Sequence, residues 1–344
     1  MEDFLMEEDF ELFERGLLSE VNEVIEFDSD ENEPQEPYEG HDPNEPYSEV
    51  VVGGMSRSIK KKKVTLLGYL GTVRESKPYN PKAWLLQSIL NELRYPLTAD
   101  GKFGPLTRQA VEKFQADYGL DVDGEVGRKT WTKLINLGKS RISNSGISDQ
   151  DYETAAKDLD VEVEVIKAIK DVESGPSGSF LFRNHPTILF EGHIFWIELD
   201  QRRGEPSKYR DSDILYQKWT KDHYVSGVAE YVRLKKARDI NIDAANASAS
   251  WGLFQIMGKN FKDCGCKSVE EFVTRMCTSE AEQLNLFVEF IKHHNMQRYL
   301  KPDHTGNIPW ASFARCYNGA GYEKNKYHIK LQEAYEKYKK LSKK

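Results

Sequence analysis

Long apolar runs are missing from this chain. No segment approaches the ~20 consecutive apolar residues that a membrane-spanning helix needs, so we expect no insertion into a membrane. The first residues, MEDFLMEEDF, are acidic where a secretory signal peptide requires a basic region. We therefore expect no signal peptide, and a protein that stays in the cytoplasm in which it is made until something releases it.

Cysteine is also scarce. The four cysteines, Cys264, Cys266, Cys277 and Cys316, are too few for a disulfide framework in a chain of 344 residues. Cys264 and Cys266 are separated by one residue, a spacing shorter than that of common zinc sites. We interpret all four as reduced thiols.

Positive charge is nearly absent from the N-terminal part. Residues 1–49 contain nineteen Asp and Glu and a single basic residue, Arg15, for a charge of −18. Since the whole chain carries −8, the remainder carries +10. The composition of residues 1–56 predicts a mostly disordered acidic tail, although the helical spacing of Phe10, Phe13 and Leu17 leaves open a helix that docks on a partner.

Two related turns mark the middle of the chain. DGKFGPLT (Asp100–Thr107) and DGEVGRKT (Asp123–Thr130) lie 23 residues apart. In each, Asp-Gly favours positive φ and the threonine suits a helix N-cap. Apolar periodicity predicts one helix before the turns and one after each, with Gly119 and Gly138 as C-caps. The pattern predicts a compact three-helix module over residues 80–138, followed by a polar linker over 139–147.

A second helical region begins at Ser148. Ser148 and Asp151 have the spacing of a capping box. The next helix is predicted from about Val161 to Gly175, because Pro176 disfavours helical geometry in the residue before it. Glu173 then lies at the C-terminal end of a buried helix.

That position favours a particular chemistry for Glu173. Loss of water and the negative end of the helix dipole both raise the pKa of a carboxyl group. A carboxyl that stays protonated near neutral pH can donate a proton to a glycosidic oxygen. From this segment alone, a solvated glutamate at a helix end is an equally good interpretation.

Two further segments carry polar residues between apolar ones. In SWGLFQIMG, Gly252 permits close approach of the backbone to a ligand, and Gln255 offers an amide that can donate to and accept from sugar hydroxyls and N-acetyl groups. In PWASFARCYNGAG, a helix is predicted from Pro309 to Asn318-Gly319, with Tyr317 and Asn318 at its end.

The order of these segments resembles known families. The module, with its Phe-Gln, Thr-Trp and glycine pattern, resembles the peptidoglycan-binding module of cell-wall hydrolases. VESG, SWGLFQIMG and ARCYNGAGY resemble the motifs of goose-type lysozymes and soluble lytic transglycosylases. FLFRNHPTILFEGHIFW is similar to a run in the muramidase domain of phage endolysins.

The resemblance implies a mainly α-helical protein with a lysozyme-like N-acetylmuramidase domain over 148–344. It would cleave the β-1,4 bond between N-acetylmuramic acid and N-acetylglucosamine after release from a host cytoplasm to the cell wall. Glu173 would be the general acid, and the glycan would be contacted by Ser250, Gln255, Tyr317 and Asn318.

Alternatives remain open at this stage. They are a lytic transglycosylase that forms anhydro-muramic ends, a chitinase-like enzyme, a non-catalytic wall-binding or virion structural protein, and a secreted antibacterial effector or autolysin.

The second carboxylate is chosen from three residues. Among Glu191, Asp200 and Asp243, we favour Glu191 as a general base or electrostatic stabiliser, because LFEGH places it between apolar residues and near His193. An alternative is a structural acid held by His193. If no second carboxylate lies near Glu173, the 6-OH of the muramic acid attacks instead.

We expect no metal and no cofactor. His185, His193 and His223 lack the His-Glu-x-x-His spacing of a metal site, and glycoside cleavage needs no metal. The expected partner is bacterial peptidoglycan, with no nucleic acid, for a protein that is expected to be a monomer.

The charge asymmetry generates a prediction about the acidic tail. The tail is expected to mask the basic remainder, directly or through an unknown partner, so that deleting residues 1–49 strengthens binding to an anionic wall and steepens its salt dependence. Sedimentation with purified walls over a salt series measures both quantities. Identical curves for the two proteins would contradict masking.

Overall fold

The two Asp-Gly turns organise the first part of the structure. The computed structural model describes residues 70–140, 146–173, 178–209, 213–220, 222–225, 227–324 and 326–343. Its first three helices are α1 (Pro81–Glu92), α2 (Pro105–Asp117) and α3 (Arg128–Ser140). Gly101 and Gly124, the glycines of the Asp-Gly pairs, both have a φ of +73°, as the turns require. The predicted acidic tail over 1–56 lies outside the described residues.

Each turn is closed by a glutamine from the preceding helix. Gln87 Nε2 donates to Asp100 Oδ1 and Thr107 Oγ1, both at 3.0 Å, and Gln87 Oε1 accepts from Gly101 N at 2.9 Å. The turns were recognised in the sequence, but this buried amide clamp was not.

The second turn repeats the arrangement. Gln115 Nε2 donates to Asp123 Oδ1 at 2.8 Å and to Thr130 Oγ1 at 3.3 Å, and Gly124 N donates to Gln115 Oε1 at 2.9 Å. The two halves of the module are therefore stabilised by the same set of contacts.

Two details of the module differ from the sequence prediction. Thr107 and Thr130 are not N-caps: both lie inside their helices and accept a hydrogen bond from the clamp glutamine. Gly138 is not a C-cap, because α3 continues to Ser140. A Cβ added at Gly138 would lie 3.1 Å from Cβ of Phe182, so glycine is needed there for close packing rather than for chain reversal.

The second region is also mainly helical. Its longer helices are α4 (Asp149–Leu159), α5 (Val163–Glu173), α6 (Gly192–Gln201), α7 (Ala229–Ile240), α8 (Ile242–Ala247), α9 (Val269–Met276), α10 (Glu280–His293), α11 (Trp310–Asn318) and α12 (Tyr327–Leu341). Short 3-10 segments lie at Pro206–Lys208, Gly258–Asn260, Met296–Tyr299 and Ala320–Glu323.

Short antiparallel strands connect these helices. β1 (Phe180–Phe182) pairs with β2 (His185–Pro186), and β4 (Ala249–Trp251) lies between β3 (Ile188–Phe190) and β5 (Ile256–Met257). The register places Leu189 opposite Ser250, and Ser250 opposite Met257. The turn between β4 and β5 contains Gln255.

Helix α5 carries Glu173 and packs between two other helices of the second region. It packs against α12 and α4, and buries Val165, Ile166, Ala168 and Ile169. Its predecessor α4 begins with the predicted capping box: Ser148 Oγ accepts from Asp151 N at 3.2 Å, and Ser148 N donates to Asp151 Oδ2 at 2.8 Å. Glu173 is the last described residue of α5, close to the predicted helix end at Gly175.

The module contacts the second region directly. α1 packs against α7, and α3 against β1. Tyr79 donates to Asp239 of α7 at 2.5 Å, and Lys235 Nζ lies 5.1 Å from the ring centre of Tyr79. Among the described helices, none is both long and apolar enough to cross a bilayer.

The glutamine clamps generate a stability prediction. Replacing Gln115 by alanine leaves the amide of Gly124 and the hydroxyl of Thr130 without their buried partner, so we expect the free energy of unfolding to fall by about 2 kcal/mol. Urea unfolding followed by tryptophan fluorescence measures this loss, since Trp131 is buried in the module.

The control is Gln109→Ala on the same helix, whose side chain is exposed. It should change the free energy of unfolding by less than about 0.5 kcal/mol. Equal effects of the two substitutions would contradict the clamp.

Candidate active site

Glu173 lies where helix α5 meets helix α12. The hydroxyl of Tyr327, the first residue of α12, donates to Oε1 of Glu173. The glutamate is half-buried, whereas Tyr327 is completely buried. Loss of water around the carboxyl group raises the pKa of Glu173 to about 7, and the hydrogen bond from Tyr327 opposes this rise because it stabilises the ionised form. Near neutral pH the group is therefore available in both protonation states.

Asn318 extends this contact. Its side chain hydrogen-bonds to Tyr327 and lowers the pKa of that phenol, as expected when an amide N–H donates to the phenol oxygen. The amide oxygen Oδ1 of Asn318 is buried and has no hydrogen-bond partner among the described residues. A buried acceptor without a protein partner is unfavourable unless a water molecule or a ligand supplies the donor.

Tyr317 lies beside the same glutamate. Burial raises its pKa well above the ordinary value, and the charge of Glu173 adds to this rise, which indicates proximity. Its hydroxyl donates to the carbonyl oxygen of Phe254 at 2.9 Å. The structure thus brings Glu173, Tyr317 and Asn318 together through Tyr327 and connects them to the turn between β4 and β5.

Ser250 lies in β4 and Gln255 in the turn that follows it, and both side chains are buried. Ser250 Oγ donates to Gln255 Oε1 at 2.8 Å, while Gln255 Nε2 donates to the carbonyl oxygens of Gly252 and Thr187 at 2.7 and 3.2 Å. Both side chains are only 3% exposed. In this conformation their polar atoms stabilise the turn, so the predicted contact with a glycan stays a prediction.

A glutamine from helix α10 fixes the other side of the turn. Gln283 is fully buried, and its Oε1 accepts from Leu253 N at 2.7 Å. Gly252 has a φ of +71°, and a Cβ there would lie 2.7 Å from Cδ of Gln283. The space beside Gly252 is occupied by Gln283, so the predicted approach of this backbone to a ligand stays a prediction.

Glu191 belongs to a different group of side chains. It is the N-cap of α6, is 4% exposed, and accepts a hydrogen bond from the hydroxyl of Tyr224. Its Oε2 lies 3.5 Å from Nδ1 of His193. Burial raises the pKa of Glu191 to about 7, the Tyr224 hydrogen bond lowers it, and the nearby charges of Glu230 and Arg233 act in opposite directions.

The groups around the two glutamates do not overlap. Tyr327 modulates the pKa of Glu173, whereas Tyr224, Glu230 and Arg233 modulate that of Glu191. The other candidates for a second carboxylate, Asp200 and Asp243, are exposed.

The three histidines considered for a metal lie in different contacts. His185 stacks on Phe182 with 3.9 Å between ring centres, and burial lowers its pKa to about 4. His193 contacts Glu191, and His223 stacks on Tyr216 at 4.5 Å.

Two comparisons with known families decide the assignment. Residues 162–339, more than half of the chain, match the family model for N-acetylmuramidase. The chain belongs to the N-acetylmuramidase family. Residues 83–134, which contain the glutamine clamps, match the peptidoglycan-binding domain model.

A solved relative agrees with this N-acetylmuramidase assignment. The crystal structure of the Burkholderia AP3 phage endolysin is 35% identical, and the match covers 79% of this chain and 99% of that chain with a TM-score of 0.52. The predicted family and the mainly α-helical fold are therefore confirmed.

The curated relatives match over short stretches. The zinc D-Ala-D-Ala carboxypeptidase of Streptomyces albus G is 49% identical over 41 residues, which is 12% of this chain and 16% of that protein. An uncharacterized protein in the bpoA1 3′ region of Kitasatospora aureofaciens is 60% identical over 35 residues, 10% of this chain and 30% of that protein. The chain thus spans less than a third of the length of either relative.

Tyr327 generates a prediction for this muramidase-family site. Because its hydroxyl stabilises the ionised carboxylate, Tyr327→Phe should raise the pKa of Glu173 further above about 7. A pH titration followed by NMR of protein with 13C-labelled glutamate carboxyls measures the pKa, and the signal lost in Glu173→Gln identifies the residue.

The matched control is Tyr335→Phe in the same helix, since Tyr335 donates to Glu162 instead, at 2.5 Å. It should leave the pKa of Glu173 unchanged. A lower or unaltered pKa in Tyr327→Phe would contradict the assigned contact.

Proposed function

We propose that this chain is an endolysin-type N-acetylmuramidase that hydrolyses the β-1,4 bond between N-acetylmuramic acid and N-acetylglucosamine in peptidoglycan. In this proposal residues 80–138 bind the wall, residues 139–147 link the two domains, and residues 148–344 cleave the glycan. The proposal rests on the environment of Glu173. Its half-buried carboxyl group has a pKa raised to about 7, and Tyr317 lies beside it.

Glu173 acts as the general acid. At neutral pH a large fraction of the group is protonated, so it can donate its proton to the glycosidic oxygen as the bond to the leaving sugar breaks. Tyr327 is a positioning residue, because its hydrogen bond fixes Oε1 and stabilises the carboxylate that remains after proton transfer. Without that bond the ionised product of the step would be less stable in its partly dry environment.

Asn318 contacts the sugar in this proposal. Its buried Oδ1 has no partner among the described residues, and its amide N–H side is used by Tyr327. A hydroxyl or N-acetyl N–H of the glycan would satisfy Oδ1 and at the same time align the substrate with Glu173. Tyr317 lies beside Glu173 and is held by its hydrogen bond to the carbonyl oxygen of Phe254.

Ser250 and Gln255 have a more indirect part. Their hydrogen bonds to each other, to Gly252 and to Thr187 keep the turn between β4 and β5 in one conformation. The proposal retains them as residues that border the glycan site.

Glu191 is retained as the proposed general base or stabiliser of the positively charged transition state. One observation favours a second candidate function: Glu191 is 4% exposed and tied to Tyr224 and His193, while Glu173 has other partners. If Glu173 is the only carboxyl that acts, the 6-OH of the muramic acid attacks intramolecularly. The enzyme is then a lytic transglycosylase.

The remaining parts of the proposal concern partners and state. Peptidoglycan is the partner that the binding domain supports. A monomeric state, release from a host cytoplasm and a partner of the acidic tail stay predictions.

Digestion of purified peptidoglycan tests the proposal. Glu173→Gln removes the proton donor but keeps the size of the side chain, so the rate of muropeptide release should fall by about 100- to 10,000-fold. Mass spectrometry of the wild-type products distinguishes the two candidates: reducing N-acetylmuramic acid ends indicate hydrolysis, and anhydro-muramic ends indicate transglycosylation.

The matched control is Glu164→Gln in the first turn of the same helix, which should digest the wall at the wild-type rate. Undiminished activity of Glu173→Gln would overturn the assignment of the acid. Full activity of Glu191→Gln would remove Glu191 from the mechanism while leaving Glu173 in place.

A further inference from the structure

Three side chains with metal-binding atoms, those of Asp263, His293 and His294, meet at the surface. None of them has a role in the mechanism proposed above. Nε2 of His294 lies 3.1 Å from Oδ2 of Asp263, and Nε2 of His293 lies 3.3 Å from Oδ1 of the same carboxylate. One ligand atom from each residue lies within 4.8 Å of the other two. Both imidazoles therefore point to one carboxylate.

Local structure holds these residues in place. Asp263 follows the 3-10 segment Gly258–Asn260, and its backbone N–H donates to the carbonyl oxygen of Asn260 at 3.0 Å. His293 is the last residue of α10 and His294 is its C-cap. The ring of His294 packs against that of Phe290, with 4.5 Å between ring centres. Two separate segments of the chain thus bring their polar side chains together.

The spacing of the ligand atoms fits a small divalent cation. Around a tetrahedral zinc ion, with Zn–N and Zn–O bonds near 2.1 Å, neighbouring ligand atoms are roughly 3.4 Å apart. The two distances, 3.3 Å from His293 to Oδ1 and 3.1 Å from His294 to Oδ2, are close to this value, and each imidazole contacts a different oxygen of Asp263. Binding of one ion by all three residues therefore requires a small adjustment of the imidazoles, whose side chains are 55% and 21% exposed.

The type of ligand selects the type of metal. Two imidazoles and one carboxylate suit zinc and other first-row transition metals, whereas Ca²⁺ and Mg²⁺ prefer an all-oxygen environment. Cys264 is adjacent in sequence to Asp263, but its side chain is fully buried and is not part of the group.

We propose that Asp263, His293 and His294 form a binding site for a divalent transition-metal ion, with Zn²⁺ as the preferred ion and water at the open coordination position. The bound ion cross-links the segment after β5 to the C-terminal end of α10. Phe290, on which His294 packs, also contacts Tyr317 edge-on at 6.3 Å. By fixing His294, the ion stabilises Phe290 and its ring contact with Tyr317, and it takes no part in glycoside cleavage.

Calorimetric titration of the full chain with Zn²⁺, after treatment with a chelator, tests the site. We expect one equivalent to bind and the Tm to rise with Zn²⁺ concentration, because the ion binds the folded state. Asp263→Asn and His294→Gln should each weaken binding by at least about 100-fold, which exceeds the loss expected for groups that merely orient a ligand. His304→Gln, at an exposed histidine outside the group, should bind Zn²⁺ like the wild type.

Titration with Co²⁺ identifies the ligands. Visible absorption of a tetrahedral or five-coordinate Co²⁺ ion without a thiolate charge-transfer band supports two imidazoles and a carboxylate. A thiolate band that persists in Asp263→Asn would place the metal at cysteine and overturn the proposal. Absence of Zn²⁺ binding to the wild-type chain, or equal binding to all variants, would overturn it as well. Muramidase activity is expected to be retained in Asp263→Asn, so this test is independent of the proposed function.

Discussion

The hydrogen bond between Tyr327 and Glu173 is the contact on which the site depends. It joins the last residue of α5 to the first residue of α12, and the rest of these two helices pack against each other. Since the packing removes water from the carboxyl group, the fold itself raises the pKa of Glu173 to about 7. The phenol limits that rise. The helix pair therefore determines both the position of the acid and its protonation.

A carboxyl group in such surroundings reduces stability where it is ionised. The pKa of Glu173 is about 7 in the folded chain against an ordinary value of 4.5. The folded state is thus favoured below pH 4.5, and this contribution is lost as the pH rises through 7. Glu191 has the same raised pKa for the same main reason. Two such groups in one region are typical of a site selected for reactivity at some expense of stability.

The sequence predicted those features that depend on interactions between residues a few positions apart. The capping box at Ser148 and the end of α11 at Asn318 follow from side chains and backbone preferences within a few residues. Tyr327 could not be predicted in this way, because its partner Glu173 is 154 residues away. Gln283 and the clamp glutamines were missed for the same reason. Their role depends on the groups that they contact in the fold, and the residues next to a glutamine in the sequence do not indicate those groups.

Gly138 bears on how the two regions work together. Its missing side chain lets α3 of the binding module approach Phe182 of the second region, and Tyr79 and Asp239 form a further contact between them. The module and the second region therefore pack directly against each other. Under the proposed function, a wall strand bound by the module would reach Glu173 at a set distance from the bound position. The lengths of the fragments in a digest would then reflect this distance.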